Sequence, residues 1–146
     1  MISGGEIKNI LLAVVKDDPL LGMIPEIVKD KHDPVKEGQV KERVVVVIPG
    51  GVDNGQFLRS FPRICIYVPD VKWGKTDKTK HYRPDTGRLT ALESHCFTKF
   101  RSSIYGKYND EVYLYGIDTI TTEEDPETWS HFLNVRLRFE VVKTKL

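Results

Sequence analysis

The stretch Trp129-Ser130-His131-Phe132-Leu133-Asn134-Val135-Arg136-Leu137-Arg138-Phe139-Glu140-Val141-Val142 decides the fold class. His131, Leu133, Val135, Leu137, Phe139 and Val141 fall on one side of an extended chain. Ser130, Asn134, Arg136, Arg138 and Glu140 fall on the other, interrupted by Phe132. Side chains alternate with a period of two along a strand, so this pattern predicts a long antiparallel strand with one face on a core and one toward water. Just upstream, Val112 to Ile120 reads as a second strand. Thr121-Thr122-Glu123-Glu124-Asp125-Pro126-Glu127 reads as an acidic turn between the two.

Two β-branched runs lie further upstream, Arg43 to Ile48 and Arg63 to Val68, closed by Pro49-Gly50-Gly51 and Pro69-Asp70. Both predict buried strands. The segment between them carries the turn signal Asn54-Gly55 but is too long for a tight hairpin, which suggests a projecting loop or an extended β-arm. Two helices are also expected. Ser3 and Glu6 have capping-box spacing ahead of the stripe Ile7, Ile10, Leu11, Val14 and Val15, and Asp18-Pro19 stops that helix. Thr90 and Glu93 make the same pair ahead of Leu92, Cys96, Phe97, Phe100 and Ile104, with Gly106 as the stop. Residues 20–25 read as a short turn tucking apolar side chains under the first helix, and residues 29–42 as a charged, exposed connection.

Without a βαβ rhythm, this order predicts an α+β fold. The expectation is one domain over residues 1–146. It has an antiparallel sheet of about four to five strands, an N-terminal and a central helix packed on one face, and long projecting loops. The expected core is Val45, Val47, Ile64, Ile66, Leu133, Val135, Leu137 and Phe139, with Leu92, Phe97 and Phe100 packing down from the central helix.

The 146 residues are 40% apolar and 29% charged, enough for one core of ordinary size. Lys+Arg (22) nearly balances Asp+Glu (21), so no global basic field draws nucleic acid. The longest apolar runs fall far short of a membrane span, and the N-terminus has no secretory pattern, so a soluble intracellular protein is expected. Cys65 and Cys96 lack the close spacing of a zinc or disulfide framework and read as half-buried small hydrophobes in a reducing compartment. A His95–Cys96 dyad fails on geometry, because adjacent helical residues do not face each other.

Little else points to chemistry. The glycines of residues 49–55 lack the Lys-Ser/Thr and the following helix of a phosphate loop. His32, His81, His95 and His131 are scattered, without metal-ligand spacing, and His131 reads as a satisfied core or boundary histidine. Pro69-Asp70-Val71-Lys72 has a carboxylate and a lysine in the order a metal-dependent nuclease uses, but no second carboxylate at a credible place. No catalytic, metal or cofactor residue is assigned, and the chain is expected not to be an enzyme.

Residues 71–88 have no apolar period and read as a long loop. Lys72, Lys75, Lys78, Lys80, Arg83 and Arg88 outnumber Asp77 and Asp85 there, with Trp73 and Tyr82 interleaved. Such a loop suits a protein interface or the backbone of a nucleic acid. Glu123, Glu124, Asp125 and Glu127 are its opposite in sign. The two segments could meet head to tail between identical subunits. The expectation is that residues 71–88 become ordered only against a neighbouring chain.

The order of elements resembles the tail-terminator, or tail-completion, proteins of tailed bacteriophages and the related neck and head–tail joining proteins. The residues carrying the likeness are Asp18-Pro19-Leu20-Leu21 at the end of the first helix, then Phe61-Pro62-Arg63-Ile64-Cys65-Ile66-Tyr67. A long loop, a central helix and Asp125-Pro126-Glu127-Thr128-Trp129-Ser130-His131 entering the last strand complete it. The likeness spans nearly the whole chain, with residues 29–42 and 71–88 longer than the plain pattern. It implies a non-enzymatic virion protein, assembled in the host bacterial cytoplasm, that forms a homo-oligomeric ring at the neck or tail end. Its partners would be copies of itself and adjacent neck or tail proteins, with DNA passing through the lumen, bound without sequence specificity, and no membrane. The interface candidates are Lys72, Trp73, Lys75, Lys78, Lys80, Tyr82, Arg83, Glu123, Glu124, Asp125 and Glu127. The alternative is a nucleic-acid-binding accessory protein using the 71–88 loop.

Overall fold

A computed structural model of the chain describes residues 2–28, 40–48, 59–73, 81–101 and 103–142. In it, helix α1 covers Gly4–Asp17, and the Glu6 N–H donates to the Ser3 Oγ (3.2 Å) at its N-terminus, as the capping spacing requires. Ile7, Leu11, Leu12 and Val15 form its buried stripe. A short 3₁₀ turn, Leu21–Met23, then buries Leu21 and Ile24 while Met23 faces outward. Gly22 sits where a side chain has no room: a Cβ there would run into the backbone carbonyl oxygen of Lys16 in the last turn of α1. Gly22→Ala is therefore expected to cost about 1–3 kcal/mol, read as a lowered midpoint of thermal unfolding. An unchanged midpoint would mean that the turn can move away from the helix.

The strands are β1 (Glu26–Val28), β2 (Arg43–Val47), β3 (Arg59–Ser60), β4 (Arg63–Pro69), β5 (Val71–Trp73), β6 (His81–Arg83), β7 (Ile104–Tyr108), β8 (Glu111–Asp125) and β9 (Ser130–Val142), with helix α2 (Thr86–Phe100) between β6 and β7. Seven of them form the main sheet, ordered β1-β2-β4-β9-β8-β7, with β3 also on β9. The expected four to five strands undercounts this sheet, and it is mixed rather than wholly antiparallel, because β1 runs parallel to β2. The additional strands are short or disguised. Glu26–Val28 has too few residues to show a period, and β3 and β4 are one line of chain along β9. Ser60 pairs with Phe139 and Arg63 with Arg136 in a single register, and the ladder breaks only where Pro62 has no N–H to give.

Strand β7 occupies a stretch that the apolar stripe assigns to the end of the second helix. That helix in fact starts four residues earlier than the Thr90 capping box, with the Arg88 N–H donating to Asp85 Oδ1 (3.2 Å), and it ends at Phe100. Gly106 is not its stop but an interior residue of β7, under the ring of Tyr113. Asn109 and Asp110, both at positive φ (46° and 65°), make the two-residue turn into β8 that their residue types favour. The acidic turn is also shorter than expected. β8 runs on through Asp125, so Glu123 and Glu124 are strand residues opposite Phe132 and His131, and a 3₁₀ turn at Pro126–Thr128 reverses the chain.

Both helices pack on one face of the sheet. Their buried side chains join Val44, Val46, Ile64, Ile66, Val68, Tyr115, Leu133, Val135, Leu137 and Phe139 in one core. The faces of β4 and β9 are as the alternation indicates, but those of β2 are reversed. Val44 and Val46 pair with Ile66 and Ile64 on the core face, which puts Val45 and Val47 on the opposite face beside Cys65 and Arg63. A run of consecutive valines carries no period, so the sequence leaves that choice to the register. Phe97, expected in the core, is 46% exposed, and Leu89 takes the place on the buried side of α2. The connection at 29–39 and the arm at 49–58 lie outside the described residues.

Candidate functional site

The region richest in chemistry-bearing groups is the end of the sheet where β4 stops and the β8–β9 hairpin turns. Its geometry comes from the turn residues. Pro126 opens the 3₁₀ turn, where its missing N–H costs nothing, and Trp129 leaves it in the left-handed region (φ 52°, ψ 42°). A bulky residue holds that conformation only when its surroundings impose it. Here the Trp129 carbonyl accepts from the Asp70 N–H (2.9 Å), the Ser130 Oγ donates to the Thr128 carbonyl (2.8 Å), and the Trp129 ring lies 4.9 Å from that of Tyr82. Asp70, at the end of β4, is joined to His131 at the start of β9 by an Oδ1–Nδ1 contact of 2.6 Å. The described hydrogen bonds connect His131 to no hydroxyl or thiol. The pair ties two strand ends together, in keeping with a satisfied boundary histidine.

A cleft of about 220 Å³ opens beside this pair, lined by Val40, Pro69, Asp70, Lys72, Tyr82 and Trp129. Its outer wall comes from the segment expected to be a loop. Val71–Trp73 and His81–Arg83 instead pair as a two-stranded antiparallel hairpin, with Lys72 opposite Tyr82 and Trp73 opposite His81. Val71 opposite Arg83 completes the register, and this alternation of polar and apolar residues is too short to register as a period. Residues 84–88 then enter α2, where Arg88 makes a bidentate pair with Glu42 (2.7 and 2.9 Å). Tyr82 is tied to the turn of its own chain, whereas Lys72 and Arg83 are exposed. Lys75, Lys78 and Lys80 lie outside the described residues.

The hairpin and the acidic residues therefore sit at the same end of one subunit. Glu123, Glu124 and Glu127 are exposed there. Glu123 Oε2 accepts from Asn134 Nδ2 (2.8 Å) and Thr121 Oγ1 (3.3 Å). No ion pair joins Lys72 or Arg83 to Glu123, Glu124 or Glu127 among the described residues.

Two groups of charged residues carry no functional signal in the sequence. One is Asp18, which is not only a helix stop. Its Oδ2 accepts from the Leu20 and Leu21 N–H groups (3.0 and 2.8 Å) and meets His95 Nε2 at 2.7 Å, and its Oδ1 lies 3.6 Å from Lys99 Nζ. The other is the sheet face away from the helices, where Arg43, Arg59, Arg63, Arg136 and Arg138 project from three adjacent lines of strand. Alternation in β9 signals the polar face, but only the register of β2, β3 and β4 brings the five together.

Both cysteines are buried. Burial pushes the Cys65 thiol up to about 11 and that of Cys96 up to about 12, so neither is a ready nucleophile. The described residues hold no group of three or more His, Cys, Asp or Glu side chains able to bind a metal ion, and none of their helices is long and apolar enough to cross a membrane. Comparison with known proteins adds no relative, since no family model, curated protein or solved structure matches the chain.

Proposed function

We propose that this chain is a non-enzymatic structural subunit that assembles with copies of itself into a ring, of the kind found at the neck or tail end of a tailed bacteriophage. The observation that carries the assembly reading is the two-sidedness of the sheet. Two helices seal one face, and no described helix lies on the other, which bears Arg63, Arg136, Tyr67 and Phe132. Tyr67 and Phe132 stack there at 4.7 Å, and Arg136 lies over the Phe61 ring at 4.5 Å. Arginine and aromatic residues are the side chains that protein interfaces favour. The placing of the ring in a virion comes from the order of elements along the chain and from nothing else.

Sedimentation velocity with negative-stain imaging tests the reading. Closed, hollow particles of one copy number are the expected result, and a monomer at every concentration would refute it. The alternative, nucleic-acid binding through the β5–β6 hairpin, would appear as DNA affinity that falls steeply with salt and drops further in Lys72→Glu.

A further inference from the structure

We propose that the arginine-bearing face of the sheet is one half of a contact between copies of this chain, and that the acidic end of the β8–β9 hairpin of the next copy is the other half. This rests on the assembly reading and names the surfaces that would meet. Around the line of β3, β4 and β9, two carboxylates among the described residues pair with three of four arginines (Arg59, Arg136 and Arg138), and none pairs with Arg63. Glu140 Oε1 serves both Arg59 (3.1 Å) and Arg138 (2.5 Å), and Asp118 Oδ2 lies 3.4 Å from Arg136 Nε. Arg63 and Arg136 stand directly opposite each other across the strands, an arrangement that costs stability unless an anion lies between or above them. The Nε atoms of both are buried, and neither makes a hydrogen bond.

A face that needed charge only for solubility would more naturally carry lysine, the commoner cation of this chain. Of lysine and arginine, β2, β3, β4 and β9 hold arginine alone, the side chain whose fork matches carboxylates bidentately.

Of the acidic end, Glu123 lies on the arginine face itself, opposite Phe132 and bonded to Asn134, whereas Glu124 and Glu127 are out of reach of the arginines and form the complementary surface. Glu124 pairs with His131 and Glu127 lies in the turn just before it, whereas Arg136 and Arg138 are five and seven residues further along β9. At strand rise that is about 17–24 Å, well beyond the distance over which exposed charges neutralise each other in physiological salt. The basic β5–β6 hairpin cannot serve as the distant counterpart, since it stands beside the acidic turn. Two unlike patches set this far apart give a head-to-tail contact, which forms a ring where the rotation between copies closes.

Charge exchange tests the assignment. Arg136→Glu/Arg138→Glu reverses the face and Glu124→Lys/Glu127→Lys reverses the acidic end. All four side chains are at least partly exposed, and circular dichroism and melting of each variant establish that it folds. Each variant alone should assemble about tenfold or more weakly than the wild-type chain in mass photometry. An equimolar mixture of the two should assemble again, because every contact in an alternating ring then joins opposite charges. If Arg136→Glu/Arg138→Glu fails to fold, Arg136→Gln/Arg138→Gln takes its place, and an assembly loss of about tenfold with the acidic end intact remains the expected result.

Normal assembly of both variants would overturn the contact while leaving the ring reading standing. A wild-type chain that stays monomeric would overturn both. Loss of assembly in Lys72→Glu/Arg83→Glu, with the face variants unaffected, would assign the basic half to the hairpin and refute the proposal. The proposal is equally refuted if the face variants keep their assembly and lose binding to a DNA duplex instead.

Discussion

Phe139→Ala is expected to destabilise the fold by about 3–5 kcal/mol, the largest loss among single truncations of the core. Phe139 is fully buried in β9, and its ring stacks on Tyr113 at 5.1 Å and Tyr115 at 6.0 Å. Tyr115 in turn meets Phe100 of α2 at 6.2 Å. The ring thus lies where the long β8–β9 hairpin meets the helix that covers it. Its removal leaves a cavity and breaks a three-ring stack whose members contribute beyond their buried area. With a denaturant slope of about 1–3 kcal/mol per molar urea, the unfolding midpoint should fall by about 1 M or more. Phe97→Ala, made on the exposed side of the same helix, should stay within about 0.5 kcal/mol of wild type. Equal losses from the two would mean that the packing of α2 on the sheet is misassigned.

The contrast between Phe97 and Phe139 separates what the residues announce from what only the register decides. β9 has thirteen residues of nearly unbroken alternation, and its buried positions can be read directly. The valines of β2 cannot be read that way, because a run of identical residues looks the same from both faces; the choice falls to the pairing of Val44 with Ile66. Phe97 satisfies a helical stripe that also contains Cys96 and Phe100, and the stripe is too wide. The earlier start of α2 at Thr86 adds Leu89 to the buried stripe of Leu92, Cys96 and Phe100, and Phe97, about 100° around the helix from Cys96, falls outside it.

The candidate site is legible residue by residue and not as an arrangement. Asp70, Lys72, Tyr82 and His131 each stand out in the chain, but the contact between Asp70 and His131 spans 61 positions and no local spacing encodes it. The hairpin at 71–83 hides because each of its strands is three residues long. The acidic turn reads too long because Thr121 to Asp125 combines β-forming threonines with carboxylates, and the charge masks the strand. The arginines show the same limit from the other side. Alternation places Arg136 and Arg138 on the polar face of β9, but the opposition of Arg63 to Arg136 exists only once β4 is laid against β9.

Asp18→Ala is expected to cost about 2–5 kcal/mol, a large effect for a polar residue at the end of a helix. Asp18 is 3% exposed and closes α1 onto the 3₁₀ turn through the Leu20 and Leu21 N–H groups. It also links α1 to α2 through His95, with Lys99 nearby. Burial by itself would raise its carboxyl, but the Leu21 N–H, the His95 ring and the Leu20 N–H favour the ionised form, and the balance leaves it below the ordinary value of 3.8. A carboxyl that titrates lower in the folded chain contributes fully above its unfolded value and loses that contribution as the pH falls through the folded one. The wild-type chain should therefore lose stability more steeply below about pH 4 than Asp18→Asn, which keeps an acceptor for the backbone donors and has no proton to take up. Denaturant midpoints of the two chains, measured from about pH 6 downward, should converge in acid. Curves that stay parallel would mean that the carboxylate charge contributes nothing and that Asp18 serves only as a hydrogen-bond acceptor, whereas converging curves would make it the charged clasp between the two helices.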